Sequence, residues 1–129
     1  MQACYNSNME KTLSIQNISA ITGLSTYTLR YYENIGLLSG IERDANGYRK
    51  YSMEDISCID FLIKLRNTNM PINEIKKFSE LRRHGNSTVT KRRELLEVHQ
   101  ANVLNQIKEL ENSLTKINEK ITHYKHLEE

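Results

Sequence analysis

The chain has 129 residues and a mass of 15.1 kDa, with 18 basic and 16 acidic side chains. This length allows one compact unit, or a small domain with an appendage, and excludes a large enzyme core. The sequence contains no apolar run near the roughly 18 residues that a membrane span requires. Cys4 and Cys58 do not form a disulfide framework, which favours a cytoplasmic location. A net charge of +2 indicates no particular partner.

The first half of the chain predicts two short helices after a loose tail at residues 1–11. Apolar residues recur at helical spacing over Ile15–Thr22, and Ser14 precedes them as a plausible N-cap. Ser25 predicts the cap of a second helix, which should continue until Gly36. Two short helices separated by a Gly-Leu-Ser turn outline a helix-turn-helix.

Residues 40–51, called the wing below, interrupt the helical period. The central Asp-Ala-Asn-Gly cluster at 44–47 predicts a tight turn, because Asn and Gly tolerate positive φ. The flanking segments are long enough only for a two-stranded hairpin, which must lie against helices to be stable. The segment 43–51 carries three cations and one acid, a local charge of +2.

Two further helices follow the wing. Ser52 predicts the N-cap of a third helix, with Glu54 and Asp55 in the first turn, where the helix dipole favours acids. This helix should end near Asn67, and the single proline, Pro71, marks the start of a fourth. We therefore expect the four helices and the wing to form one domain over residues 12–85.

The remaining residues, 86–129, predict a dimerisation helix. Between residues 87 and 126 there is no Gly or Pro, and apolar residues occupy nine of eleven a and d heptad positions. Such a stripe must be buried against a second copy or another protein. The predicted dimer interface consists of Leu96, Val103, Ile107, Leu110, Leu114, Ile117 and Ile121.

Two motifs carry a resemblance to a known family. The segment Thr28-Leu29-Arg30-Tyr31-Tyr32-Glu33 is followed by Gly47-Tyr48-Arg49-x-Tyr51 and then by Glu54-Asp55-Ile56. In this order and at this separation, the motifs resemble the MerR family of bacterial transcription regulators. The resemblance extends from about residue 12 to the end of the chain, and it suggests a short member without a C-terminal effector-binding domain.

The resemblance implies a mainly α fold, in which a winged helix-turn-helix precedes a long helix that forms an antiparallel coiled-coil dimer. The second helix would enter the major groove, and the wing would grip the flanking backbone. As a homodimer, the protein would distort a long promoter spacer in double-stranded DNA and so activate RNA polymerase indirectly. The resemblance implies no cofactor and no particular small-molecule effector. Any ligand pocket should be small and near the junction of the wing, the fourth helix and the long helix.

The DNA-binding residues expected on this basis belong to the second helix and the wing. Hydroxyl groups at the start and side of the helix suit groove contacts, and arginine can bind phosphate or guanine. The expected set is Ser25, Thr26, Tyr27, Arg30, Tyr31, Arg43, Tyr48, Arg49 and Tyr51.

Other candidate sites are less well supported by the sequence. Cys58 is interpreted mainly as a buried structural thiol, with a redox sensor as the alternative. The four histidines, of which His123 and His126 are three residues apart, lack a third metal ligand and predict solvated surface. No catalytic triad, carboxylate pair or phosphate loop is present, so the chain is not expected to be an enzyme.

The sequence thus predicts a homodimeric, sequence-specific DNA-binding regulator that activates transcription. One alternative is a coiled-coil interaction module with weak DNA contact. Another is an architectural, excisionase-like protein that bends DNA without changing transcription.

Overall fold

The computed structural model describes residues 12–129, so the predicted tail at 1–11 lies outside the described residues. The described chain contains three short strands, five α-helices and one 3₁₀ turn. They are β1 (Thr12–Leu13), α1 (Ile15–Thr22), α2 (Thr26–Asn34), β2 (Glu42–Arg43), β3 (Arg49–Ser52), α3 (Met53–Asn67), α4 (Ile72–Arg83), a 3₁₀ turn (Gly85–Thr88) and α5 (Val89–Leu127). The predicted mainly helical fold is confirmed.

Local capping explains where the first three helices begin. The side chain of Ser14 accepts a hydrogen bond from the Asn17 amide, and Ser52 does the same for the amide of Asp55. Both serines complete capping boxes, which satisfy amides that the first helical turn leaves without partners. Ser25 caps α2 through the amide of Thr28. The predicted starts of these helices are therefore confirmed.

The sheet has one strand more than the sequence predicted. Its order is β1-β3-β2, and both pairings are antiparallel. Thr12 pairs with Ser52, and Leu13 pairs with Tyr51. β1, the segment that precedes α1, therefore pairs with the inner side of the hairpin. The two-residue strand β2 thus belongs to a three-stranded sheet and not to an isolated hairpin.

The chain divides into two compact units, one ending at Arg92 and the other spanning Arg93–Glu129. The core of the first unit is formed by apolar side chains from α1, α2, α3 and α4 and from the turns between them. Its most deeply buried members are Ile18, Leu29, Leu37, Tyr51, Ile59 and Ile75. The second unit is a continuous stretch of α5. No helix within residues 12–129 is both long enough and apolar enough to cross a membrane.

Two polar contacts tie α2 and its following turn to the later helices. A guanidinium nitrogen of Arg66 on α3 donates to the Tyr32 hydroxyl at 3.1 Å. On α4, the buried Ser79 hydroxyl donates to the carbonyl of Leu37, also at 3.1 Å. These bonds fix the inner face of α2, and its opposite face remains open to solvent.

Candidate nucleic-acid interface

The outer face of α2 presents aromatic and hydroxyl groups. The side chains of Tyr27 and Tyr31 are 77% and 47% exposed, whereas Leu29 and Tyr32 on the inner face are buried. Helical periodicity produces this separation, because residues three and four apart share a face. The hydroxyl-rich first turn, which includes Thr26, lies beside these tyrosines. This face has the size and chemistry of a surface that can enter a DNA groove.

Arg30 lies on the exposed side of the same helix. One of its guanidinium nitrogens donates to the Thr26 hydroxyl at 3.3 Å, so the side chain lies back along the helix towards its N-terminus. Arg30 also lines an open cleft of about 600 Å³, together with the first turn of α1 and the wing residues Tyr48, Arg49 and Lys50. Three cations and the carboxylate of Asp44 line this cleft beside a helix N-terminus, so positive charge prevails there.

The wing is shaped by Asp44. Its carboxylate accepts hydrogen bonds from the amides of Asn46 at 2.9 Å and Tyr48 at 3.0 Å. Gly47 has φ +86°, a conformation that side chains rarely adopt, so the predicted Asn-Gly turn is confirmed. The Tyr48 side chain at the end of this turn is 69% exposed. The turn thus holds an aromatic hydroxyl outwards beside α2.

The two wing arginines have different environments. Arg49 is only 17% exposed, and its Nε donates to an oxygen of Glu33 on α2 at 2.5 Å. Arg43 is 46% exposed, lies 3.7 Å from the other Glu33 oxygen and donates to the carbonyl of Gly47 at 2.9 Å. The sequence assigned both arginines to phosphate. Of the two, Arg43 has the more exposed side chain.

The prediction for Tyr51 is wrong. Its side chain is 0% exposed and belongs to the core, so it does not form part of an outer strip for phosphates. Its hydroxyl has no hydrogen-bond partner among the residues that the structure describes. Burial, followed by the charge of Glu33, raises the pKa of the phenol above 10.0. The expected alternation along the strand did not reveal which face of this short strand would be covered.

Two features of this surface were missed by sequence reasoning. The first is Glu33, which faces two arginines of the wing. In the sequence, it could have been noticed as an acid on an otherwise neutral or basic helix. The second is a cationic surface where the exposed side chains of Lys76, Lys77 and Arg83 on α4 surround a shallow depression beside Gly36. Its signal was the run of lysines and arginines on the polar side of α4.

The apolar stripe of α5 is solvent-exposed in the single chain. Leu96 and Val103 are half-buried, and the other five predicted interface residues are 47% to 71% exposed. Those five are Ile107, Leu110, Leu114, Ile117 and Ile121. An exposed apolar row of this length is unusual for a monomeric protein and marks a protein–protein contact.

Cys58 lies on α3 and is 5% exposed. The sequence predicted a buried structural thiol. Cys58 is buried, but it is not a free thiol, so the second part of that interpretation is corrected. The other cysteine of the sequence, Cys4, lies outside the described residues.

Cys58 lines a cavity of about 240 Å³ with Lys50, Asp55 and Arg82, close to where the sequence predicted a ligand pocket. Within residues 12–129, no group of three or more His, Cys, Asp or Glu side chains is arranged to hold a metal ion.

Two short helices joined by a tight turn, with a hairpin beside the second helix, have the architecture of a winged helix-turn-helix, a class of DNA-binding domain. Comparison with known proteins identifies the particular family. Residues 13–81 match the family model described as MerR HTH family regulatory protein. The chain belongs to the MerR family and is a DNA-binding transcriptional regulator.

Individual relatives agree with this assignment. An uncharacterised HTH-type transcriptional regulator of Haemophilus influenzae is 37% identical over 102 residues, which cover 79% of this chain and 76% of that protein. AdhR of Bacillus subtilis is 34% identical over 84 residues, covering 65% and 60% respectively. The crystal structure of HiNmlR, a MerR family regulator lacking the sensor domain, bound to promoter DNA, matches with a TM-score of 0.83 at 34% identity. That match covers 89% of this chain and 91% of HiNmlR.

Proposed function

We propose that this chain binds a promoter as a homodimer and activates transcription by distorting the spacer between the polymerase elements. The observation that carries the proposal is the juxtaposition of the exposed outer face of α2 with the exposed end of the wing. Residues of α2 would read the major groove, and the wing would contact phosphates beside it. The proposed contacts are Ser25, Thr26, Tyr27, Arg30, Tyr31, Arg43 and Tyr48.

The exposed stripe of α5 supports the homodimer. Pairing two copies along the seven stripe residues named above would cover apolar side chains that the single chain leaves in water. A dimer would also present two copies of α2 to two half-sites, as twofold-symmetric operators require. We therefore propose 12–85 as the DNA-binding domain and 86–129 as the dimerisation helix.

Activation by distortion is the energetically demanding part of the proposal. Bending or untwisting the DNA of a binding site costs on the order of 1–10 kcal/mol. Phosphate contacts from two wings and two α4 surfaces would offset that cost, since each contact also releases counterions. RNA polymerase would respond to the altered DNA. The protein would act in the cytoplasm and carry no catalytic activity.

Footprinting on the promoter region of the protein's own operon tests the function. We expect protection of a twofold-symmetric site with hypersensitive positions at the centre of the spacer, and increased transcript in a purified polymerase reaction. Protection without central hypersensitivity would refute distortion and leave plain repression. Protection with hypersensitivity but unchanged transcript would favour an architectural protein.

A matched pair of variants tests the assignment of α2. We expect Arg30→Ala to weaken promoter binding by about 1–3 kcal/mol, since a guanidinium that reaches a base edge contributes that much. Lys64→Ala is the control, because Lys64 is an exposed cation on α3 that pairs with Asp60 at 3.5 Å, outside the proposed interface. Equal affinities of the two variants, measured by fluorescence anisotropy, would refute the role of α2 as the reading helix.

A further inference from the structure

Glu33 is an acidic residue on the helix that faces DNA, and both of its oxygens point to the wing. Oε1 accepts from Arg49 at 2.5 Å, and Oε2 lies 3.7 Å from Arg43. In the described part of the chain, these two ion pairs are the salt bridges that join α2 to the wing. An acid in this position opposes phosphate binding by its charge, so its presence requires another explanation.

The contact between Glu33 and Arg49 is stronger than an ordinary surface pair. The two side chains are 21% and 17% exposed, and the bond is a short hydrogen bond between charged groups. Exposed pairs contribute little because water competes for both partners, but here water has limited access. Moving Arg49 to a phosphate would leave the Glu33 carboxylate partly buried without its main partner, which is costly.

The wing needs such a contact to hold its orientation. Its strands have two and four residues, and a short hairpin does not fix its own position in water. Pairing with β1 and burial of Tyr51 hold the inner end of β3. The Glu33 contacts hold the part of the wing nearest to the turn, where Arg43 and Arg49 face each other across the strands.

We propose that Glu33 is a positioning residue for DNA recognition, which sets the orientation of the wing against α2 by holding Arg49. Arg49 acts through Glu33, and Arg43 is the wing arginine that contacts phosphate. This inference rests on the proposed function, because it concerns how two DNA-contacting elements are kept at a fixed spacing.

The salt dependence of binding separates positioning from phosphate contact. Each phosphate contact contributes about 0.9 to the slope of log affinity against log salt. For the full-length chain on a promoter duplex, we expect Arg43→Gln to reduce the slope by about 0.9 per protomer. Arg49→Gln should leave the slope unchanged. It should instead lower the ratio of promoter to scrambled-duplex affinity at least about fivefold, an effect comparable to one mismatched base pair in the site.

Glu33→Gln completes a double-mutant cycle with Arg49→Gln. If Arg49 acts through Glu33, the double variant should lose no more promoter preference than either single variant. Glu119→Gln is the control for charge, because Glu119 is an exposed acid on α5, 3.7 Å from Lys116 and outside the proposed DNA-binding surfaces. It should leave the promoter preference unchanged. Circular dichroism melting shows which variants are folded, and if Glu33→Gln is not, the slopes of Arg43→Gln and Arg49→Gln decide the question.

Two results would overturn the inference. One is a reduction of the salt slope in Arg49→Gln equal to that in Arg43→Gln. The other is additive loss of promoter preference in the cycle. Failure of the proposed function has a different signature, because the unmodified protein would then bind promoter and scrambled duplexes equally.

Discussion

Replacing Tyr51 with Phe removes a single oxygen from the core of the first unit. The Tyr51 side chain is 0% exposed, and within residues 12–129 its hydroxyl has no hydrogen-bond partner. In the unfolded chain, the same hydroxyl bonds to water. Folding therefore removes it from water without a replacement, and Tyr51→Phe should increase the free energy of unfolding.

The magnitude follows from the environment of that hydroxyl. A buried polar group without a partner costs about 1–3 kcal/mol. Phe keeps the ring and the packing around it, so the cavity that the missing oxygen leaves reduces the gain only slightly. A net stabilisation of about 1 kcal/mol would raise Tm by about 4–8 °C for a unit of this size.

Tyr32→Phe is a matched control with the opposite expected sign. The Tyr32 ring is also buried, but its hydroxyl accepts from Arg66 at 3.1 Å. Removing it should cost about 0.5–1.5 kcal/mol, since a satisfied hydrogen bond is lost. Urea and thermal unfolding of both variants should be compared at one fixed protein concentration, because dimerisation makes Tm concentration-dependent.

The same variant tests whether Tyr51 contacts DNA. Promoter affinity of Tyr51→Phe should equal that of the unmodified protein, because the hydroxyl is enclosed by the core. A lower free energy of unfolding for Tyr51→Phe would refute the argument from burial. A clear loss of promoter affinity with unchanged stability would instead restore the phosphate contact that the sequence predicted.

Two further predictions concern the dimer and the third helix. Leu114→Asp should convert a species of twice the 15.1 kDa chain mass into a monomer, because each protomer loses about 1.5–3 kcal/mol of leucine burial and gains a charge in the interface. Light scattering after size exclusion measures this. Thr115→Asp, one position off the stripe, is the control, and an unmodified protein that is monomeric at micromolar concentration would refute the stripe as a homodimer interface. Burial raises the pKa of Asp55 above 3.8, although hydrogen bonds from Ser52 oppose the shift. The native state then binds a proton more readily than the unfolded state, so this carboxyl lowers stability as pH rises from 3.8 through its native pKa. Asp55→Asn should therefore be more stable relative to the unmodified protein at pH 7 than at pH 3.5 in urea unfolding, and a pH-independent difference would contradict the raised pKa.

The sequence by itself determined the features that depend on near neighbours in the chain. Ser14, Ser25 and Ser52 each cap a helix through an amide three residues away. The wing turn is closed within the four residues from Asp44 to Gly47. The long α5 helix was equally readable, because a heptad pattern is a property of the local sequence.

Only the tertiary structure decided which side chains of the wing are free. Glu33 and Arg49 are sixteen residues apart, and β1 pairs with a strand about forty residues later. Local spacing carries no information about such pairs, since they form when packed helices bring the segments together. Tyr51 was misassigned for the same reason. Its burial depends on α1 and α3 packing beneath the sheet, and a four-residue strand shows too little alternation to reveal which face they cover.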